Sequence, residues 1–176
     1  MESLRKYPLG KFIPQETYSE EQIKEIMHDL RVFPKDLRAY LENVPEESWD
    51  SPYRLNGWTV RQVVHHLADS HAMMYIRVKL ALTTDRPTVP GYPESSWAEL
   101  PDNHLSPWVS VHALSAIHER LVYILEQMPV KQWQEAAYYH AGYGTWNPLD
   151  RVLALYQWHG KHHLAHIKLA VETPEL

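Results

Sequence analysis

Twelve histidines fall within 176 residues, a number that packing, charge balance and solubility leave unexplained. Most crowd into two stretches, His65, His66 and His71 in one and His159, His162, His163 and His166 in the other. Neutral imidazole is the commonest protein ligand for transition metals and the side chain that titrates nearest neutrality, so such clusters point to metal binding or acid–base work. Residues four apart on a helix stand about 5–6 Å apart at Cβ, close enough for two imidazoles to converge on one ion roughly 2.0–2.1 Å from each nitrogen. His159 and His163 have this spacing, and so do His162 and His166. A helical period places Val152, Leu155, Tyr156, His159, His163, His166, Ile167 and Ala170 on one stripe, so imidazoles occupy positions that otherwise belong to the core. An unpartnered buried polar group costs about 1–3 kcal/mol, and one shared cation satisfies several together. His162 points about 60° to one side of His159, which selects His159 and His163 as the ligand pair. Gly160 between them leaves room for a neighbouring backbone, at a helix-propensity cost of about 1 kcal/mol relative to Ala.

Two imidazoles alone make a weak site, so a third ligand is expected from the earlier stretch, where His65, His66 and His71 all qualify. Asp69 follows His66 by three residues and His65 by four, and is a candidate to orient a ligating imidazole through a carboxylate–imidazole hydrogen bond. His71 is a candidate fourth ligand or acid–base group. Three imidazoles and a water would leave the open position that marks catalytic rather than structural sites. His28, His104, His112, His118 and His140 lack an i+4 histidine and read as solvent or core groups. Tyr138, Tyr139, His140, Tyr143 and Trp146 form an aromatic cluster that reads either as the wall of a substrate pocket or as core and rim.

These residues must be carried by helices. Ser19-Glu20-Glu21-Gln22 is a capping box, and the apolar positions Ile23, Ile26, Met27, Leu30, Phe33, Leu37, Tyr40 and Leu41 continue its helix to about Asn43, with a kink expected at Pro34. Thr59-Val60-Arg61-Gln62 is a second box, opening a helix that bears the first histidine stretch and runs to about Thr84. Residues 85 to 107 hold five prolines in a long connection, expected to act as a lid or an edge-forming loop. Ser106-Pro107 starts a third helix ending before Pro129, and Asn147-Pro148, with Asp150 in the first turn, starts a fourth that reaches about Val171. The segment from Gln132 to Trp146 suits a short hairpin or an irregular loop. No stretch alternates convincingly at period two and no internal repeat is visible. Four long amphipathic helices are expected to pack as one all-α four-helix bundle over residues 1–176, and two long connections weaken the case for a simple up-down-up-down arrangement.

Composition removes whole classes of chemistry. The chain has no Cys, which excludes disulfides, Cys-ligated zinc, iron–sulfur clusters and an internal thiol nucleophile. A net charge of -5 and a pI near 6.2 offer no basic field for phosphates, so nucleic acid is not expected as a partner. No run of about 18 apolar residues suggests a membrane span and Met1 to Pro8 lacks the apolar segment of a signal peptide, so a cytoplasmic protein is expected. The few glycines spell no Gly-x-Ser-x-Gly elbow, phosphate-cradling loop or dinucleotide fingerprint.

The segment Gly57-Trp58-Thr59-Val60-Arg61-Gln62-Val63-Val64-His65-His66-Leu67-Ala68-Asp69-Ser70-His71, with Tyr156-Gln157-Trp158-His159-Gly160-Lys161-His162-His163-Leu164-Ala165-His166-Ile167, resembles the DinB-like superfamily and, with Tyr7-Pro8-Leu9-Gly10, its YfiT subgroup. The resemblance spans nearly the whole chain. It implies a four-helix bundle, a homodimer, and one divalent metal per subunit, zinc or nickel, on three histidines. The family's ligand before Leu falls on His66 and its last-helix pair on His159 and His163, so the resemblance favours His66 over His65. It further implies hydrolysis of a small-molecule substrate by metal-activated water, with His71 as a base, or alternatively the S-transfer of a low-molecular-weight thiol such as bacillithiol to an electrophile. A metal-binding stress protein without turnover is the remaining class.

Overall fold

The computed structural model describes residues 2–173. Both capping boxes form. Ser19 Oγ accepts the Gln22 N–H at 3.2 Å and Gln22 Oε1 accepts the Ser19 N–H at 2.9 Å, opening α2 (Glu20–Leu41) after a short α1 (Glu2–Lys6). Thr59 and Gln62 exchange the equivalent bonds at 3.2 and 3.0 Å to open α3 (Val60–Thr83). After a one-turn α4 (Glu94–Trp97), α5 (Pro107–Glu126) begins on a proline whose fixed φ suits a first helical turn. Ser106 stands at its N-cap without a side-chain bond. A short α6 (Val130–Glu135) precedes α7 (Leu149–Glu172). Asn147 does not cap α7: Pro148 holds that position, and the Asn147 amide donates to Thr145 O at 2.9 Å.

Helix α2 packs on α5 and α7, and α3 packs on the same two. Consecutive α2 and α3 therefore face each other across the bundle diagonal, which tight turns would forbid and the long connections allow. Helix α2 runs unbroken through Pro34. A proline has no N–H to give the carbonyl four residues earlier, so Leu30 O is released from the helical ladder. No helix among the described residues is long and apolar enough to cross a membrane.

The buried apolar side chains form two clusters. One gathers Ile23, Ile26 and Leu30 of α2 with Met74 and Val78 of α3, Leu121 and Leu125 of α5, and Val152, Leu153 and Tyr156 of α7. The other gathers Phe33, Leu37, Val63, Leu67, Leu114 and Ile167. Along α3, α5 and α7 the stretches between the clusters carry His71, His118, His159 and His163, so an imidazole layer divides the core. Gly160 serves this layer by admitting a side chain rather than the expected backbone. A Cβ there would meet the Phe33 ring at 3.0–3.1 Å, and that ring stacks on His71 at 5.8 Å between centroids. Ala in a helix gains about 1 kcal/mol over Gly, while overpacking costs about 1–3 kcal/mol. Gly160→Ala is therefore expected to lower the melting temperature by about 2–4 °C, and a rise in that temperature would contradict this account of Gly160.

The connections build a three-stranded sheet of order β1 (Thr88–Val89), β2 (Ala137–His140) and β3 (Thr145–Pro148). β2 and β3 are an antiparallel hairpin pairing Tyr139 with Trp146, turned through Gly144 at φ +66°. β1 lies parallel to β2, with Val89 opposite His140. The proline-rich connection is thus an edge-forming loop, and its next residues, Gly91 to Ser95, wall a cleft over the imidazole layer.

Candidate metal centre

His66 from α3 and His159 and His163 from α7 each offer a ring nitrogen, all within 4.8 Å of one another. His66 Nε2 and His159 Nε2 lie 3.3 Å apart. Nitrogens about 2.1 Å from a common ion at tetrahedral angles stand about 3.4 Å apart, so the spacing fits a cation. Burial pushes His66 down to about 4 and holds His159 and His163 well below 6.5, their mutual proximity adding to the effect. The rings are neutral at pH 7, the state a metal ion requires.

Hydrogen bonds behind these rings decide which nitrogens are bare. A carbonyl oxygen only accepts, so the 2.5 Å contact from His118 Nδ1 to Leu30 O places the His118 proton on Nδ1. Burial, against the pull of that carbonyl, lowers His118 to about 4, so the ring holds one proton and its Nε2 accepts from His71 Nδ1 at 2.7 Å. Burial, reinforced by His118 and His159, holds His71 well below 6.5, so His71 Nε2 in turn accepts from His159 Nδ1 at 3.3 Å. The proton order ends with a bare Nε2 on His159. A second relay starts at Lys6 O, which accepts from His166 Nε2 at 3.3 Å. His166, lowered to about 4 by burial first, accepts at Nδ1 from His163 Nδ1 at 3.3 Å, leaving His163 Nε2 bare. Two backbone carbonyls thus set the tautomers of both α7 imidazoles, the arrangement by which outer partners orient metal ligands. Tyr53 stacks on His166 at 4.0 Å between centroids and holds that ring in place.

Several expectations change here. His71 is wholly buried with both nitrogens bonded to other imidazoles, so it stands behind His159 as a positioning group and has no face for a substrate or a fourth-ligand role. It lies five residues from His66, about 140° round the helix, which turns it from the cleft into the bundle. No hydrogen bond from Asp69 to His65 or His66 is seen among the described residues, and burial, with Asp102 nearby, raises its carboxyl pKa. His65 is engaged elsewhere: Nε2 donates to Leu105 O at 3.2 Å and Nδ1 accepts from the Ser110 hydroxyl at 2.7 Å, tying α3 to the start of α5. His162 stacks on Trp158 at 4.4 Å, aside from the centre. His28, His104 and His112 are exposed. His118 and His140, both set aside for want of an i+4 partner, are respectively the end of a relay and a wall of the cleft.

The three imidazoles open into a cleft of about 790 Å³, within the range of small-molecule sites. Its other walls include Trp58, Ser70, Arg77, Tyr92, Tyr138 and Tyr156. Of the aromatic cluster, Tyr138, His140 and Tyr143 line it, while Tyr139 and Trp146 pack on each other at 5.6 Å instead. Burial raises the Tyr92, Tyr138 and Tyr156 phenols, so all three keep their protons at neutral pH.

A four-helix bundle whose facing helices turn three neutral imidazoles toward an open cleft defines a class of protein able to carry a divalent metal beside a small substrate. The chain belongs to the DinB superfamily, whose profile matches residues 29–167. It is 41% identical over 167 residues to proteins of Bacillus cereus (strain AH820) and Bacillus anthracis (strain A0248), each named "Putative metal-dependent hydrolase", covering 95% of either chain. It also superposes on the solved structure of YfiT from Bacillus subtilis with a TM-score of 0.92 at 38% identity, over 96% of this chain and 97% of that one. That protein is described as "a probable metal-dependent hydrolase with an unusual four-helix bundle topology". In the present chain α2 and α3 lie on the bundle diagonal, which departs from a sequential up-down order.

Proposed function

We propose that this protein is a metal-dependent hydrolase acting on a small carbonyl substrate, with a zinc or nickel ion held by His66, His159 and His163. The observation that carries this reading is the convergence of three neutral imidazoles, two with their lone pairs fixed by carbonyl-anchored relays, on the floor of a substrate-sized cleft. A divalent cation at such a position supplies Lewis acidity, bringing a coordinated water toward a pKa of about 7 and polarising a carbonyl. The chain supplies the rest. Trp58 packs on His66 at 4.7 Å between centroids and restricts water at that side. Tyr156, protonated and beside His159 at 5.5 Å between centroids, gives an O–H to the oxygen of a carbonyl as negative charge develops there. Ser70 beside Tyr156 and Tyr92 helps hold both phenols in place.

The same site suits transfer of an external thiol, since the chain has no Cys of its own. One experiment separates the two. Protein reconstituted with zinc or nickel is expected to hydrolyse members of an ester and amide panel, and chelator is expected to abolish the rate. Metal-dependent consumption of a low-molecular-weight thiol with a reactive electrophile, without hydrolysis, would replace the hydrolase reading by the transferase one. Stoichiometric metal with neither reaction would leave a metal-binding protein without turnover.

A further inference from the structure

Arg77 is 6% exposed, yet no carboxylate lies within ion-pair distance of it among the described residues. Its Nη2 donates to Pro90 O at 3.0 Å, and its buried Nε has no hydrogen-bond partner. An arginine cannot shed its proton in a protein, so the cost of desolvating the charge stands unless a counter-charge arrives. The surrounding phenols of Tyr138 and Tyr156 lie beside the guanidinium but keep their protons, so they solvate it without neutralising it. Arg77 lines the same cleft as the three imidazoles, on the same helix as His66.

We propose that the substrate carries a carboxylate that pairs with Arg77 while its reacting carbonyl lies at the three-histidine centre. This rests on the reading of the cleft as the active site. A planar guanidinium short of one hydrogen-bond partner and of any counter-charge matches the two oxygens of a carboxylate, and charge-assisted pairs of this kind are the strong ones. A singly charged group fits better than a phosphate dianion, because among the described residues Arg77 is the one Arg or Lys side chain on the cleft wall and Glu94 places a carboxylate on that wall as well. Eleven residues separate His66 from Arg77, about 16 Å of helix at 1.5 Å per residue, so the carboxylate and the reacting group stand several bonds apart in the substrate. The Pro90 contact adds a consequence. Arg77 holds the proline-rich connection that roofs the cleft, so substrate binding and the placement of that roof share one side chain.

The test is calorimetric binding of the methyl half-esters of succinate, glutarate, adipate and pimelate against their dimethyl esters, on zinc-loaded wild-type, Arg77→Met and Arg77→Lys protein. In the wild type, at least one half-ester is expected to bind about tenfold or more tighter than its neutral counterpart. Arg77→Met is expected to erase that preference and Arg77→Lys to keep part of it. Both variants are expected to retain zinc stoichiometry, which shows that the three-histidine centre is intact in each. A preference that survives Arg77→Met, or no preference anywhere in the series, overturns the proposal. Equal weakening of half-ester and diester by Arg77→Met also overturns it, showing that Arg77 acts only by holding Pro90. Methanol release scores the hydrolase reading separately: selective binding without turnover sinks that reading alone, and turnover without selectivity sinks this one alone.

Discussion

Removing any one of His66, His159 or His163 as alanine is expected to weaken zinc or nickel binding by about a hundredfold or more while leaving the helical circular dichroism unchanged. The size follows from the donor count. Loss of a partner that only orients a ligand already costs about 10–100-fold in metal affinity, and each of these changes removes a donor outright. Folding is spared because the site lies at the junction of two apolar clusters that keep their own contacts across all four long helices. His118→Phe grades the effect. It keeps an aromatic ring against Phe33 but frees His71 from its proton order, so an intermediate loss of about tenfold in affinity is expected. Metal content after dialysis against a competing chelator measures all four proteins. Stoichiometric metal retained by the three alanine variants would mean that the cluster is packing and not a centre.

Acid is expected to unfold the metal-free protein near pH 5. Burial lowers His66, His118 and His166 to about 4 from an ordinary value of 6.5. A depressed histidine pKa means that the unfolded chain takes up the proton first. Stability is therefore full above about 6.5 and falls with pH until the folded rings protonate near 4. At pH 5 each of the three contributes a loss on the order of 2 kcal/mol. Together these rival the whole stability of an ordinary domain, about 5–15 kcal/mol. Melting temperatures recorded with chelator from pH 8 to pH 4.5 are expected to drop steeply below 6.5, and a flat profile down to pH 5 would show that these imidazoles are hydrated in solution. Added zinc is expected to move the transition to lower pH, because a cation that binds only the folded state opposes protonation of its ligands.

What could be read from the sequence was what local spacing encodes. Both capping boxes and the helix stripes depend on neighbours three and four residues away, and so does the pairing of His159 with His163. The hairpin could be named only beside an irregular loop as its alternative, because two four-residue strands leave too little length for a period of two to appear. His118 escaped altogether, for a different reason. Its partners are Leu30 and His71, at sequence separations of 88 and 47, and no spacing rule reaches them. Arg77 gave no signal because an arginine on an amphipathic helix ordinarily reads as solvated, and the groups found against it, Pro90 and the phenols of Tyr138 and Tyr156, are distant from it in sequence. His71 was misplaced by nearness in sequence to His66, when a rotation of about 140° turns it into the bundle. Asp69 stays on the same side of the helix as His65 and His66, yet no hydrogen bond joins it to either among the described residues, and that absence is not written in the spacing.

Pro34 gives helix α2 a trade-off that ordinary stabilisation rules would miss. Consensus thinking would replace a mid-helix proline with alanine, regaining a main-chain bond and about 3 kcal/mol of propensity. In this protein that regained bond would be drawn from Leu30 O, the acceptor on which His118 depends. The oxygen would then have two claimants, and His118 could turn its proton the other way, passing the reversal through His71 to the nitrogen that His159 shows to the cleft. A change that improved the scaffold would thus be felt as a reversed polarity at the three-histidine centre, so heat resistance and chemistry at this site trade off at one residue.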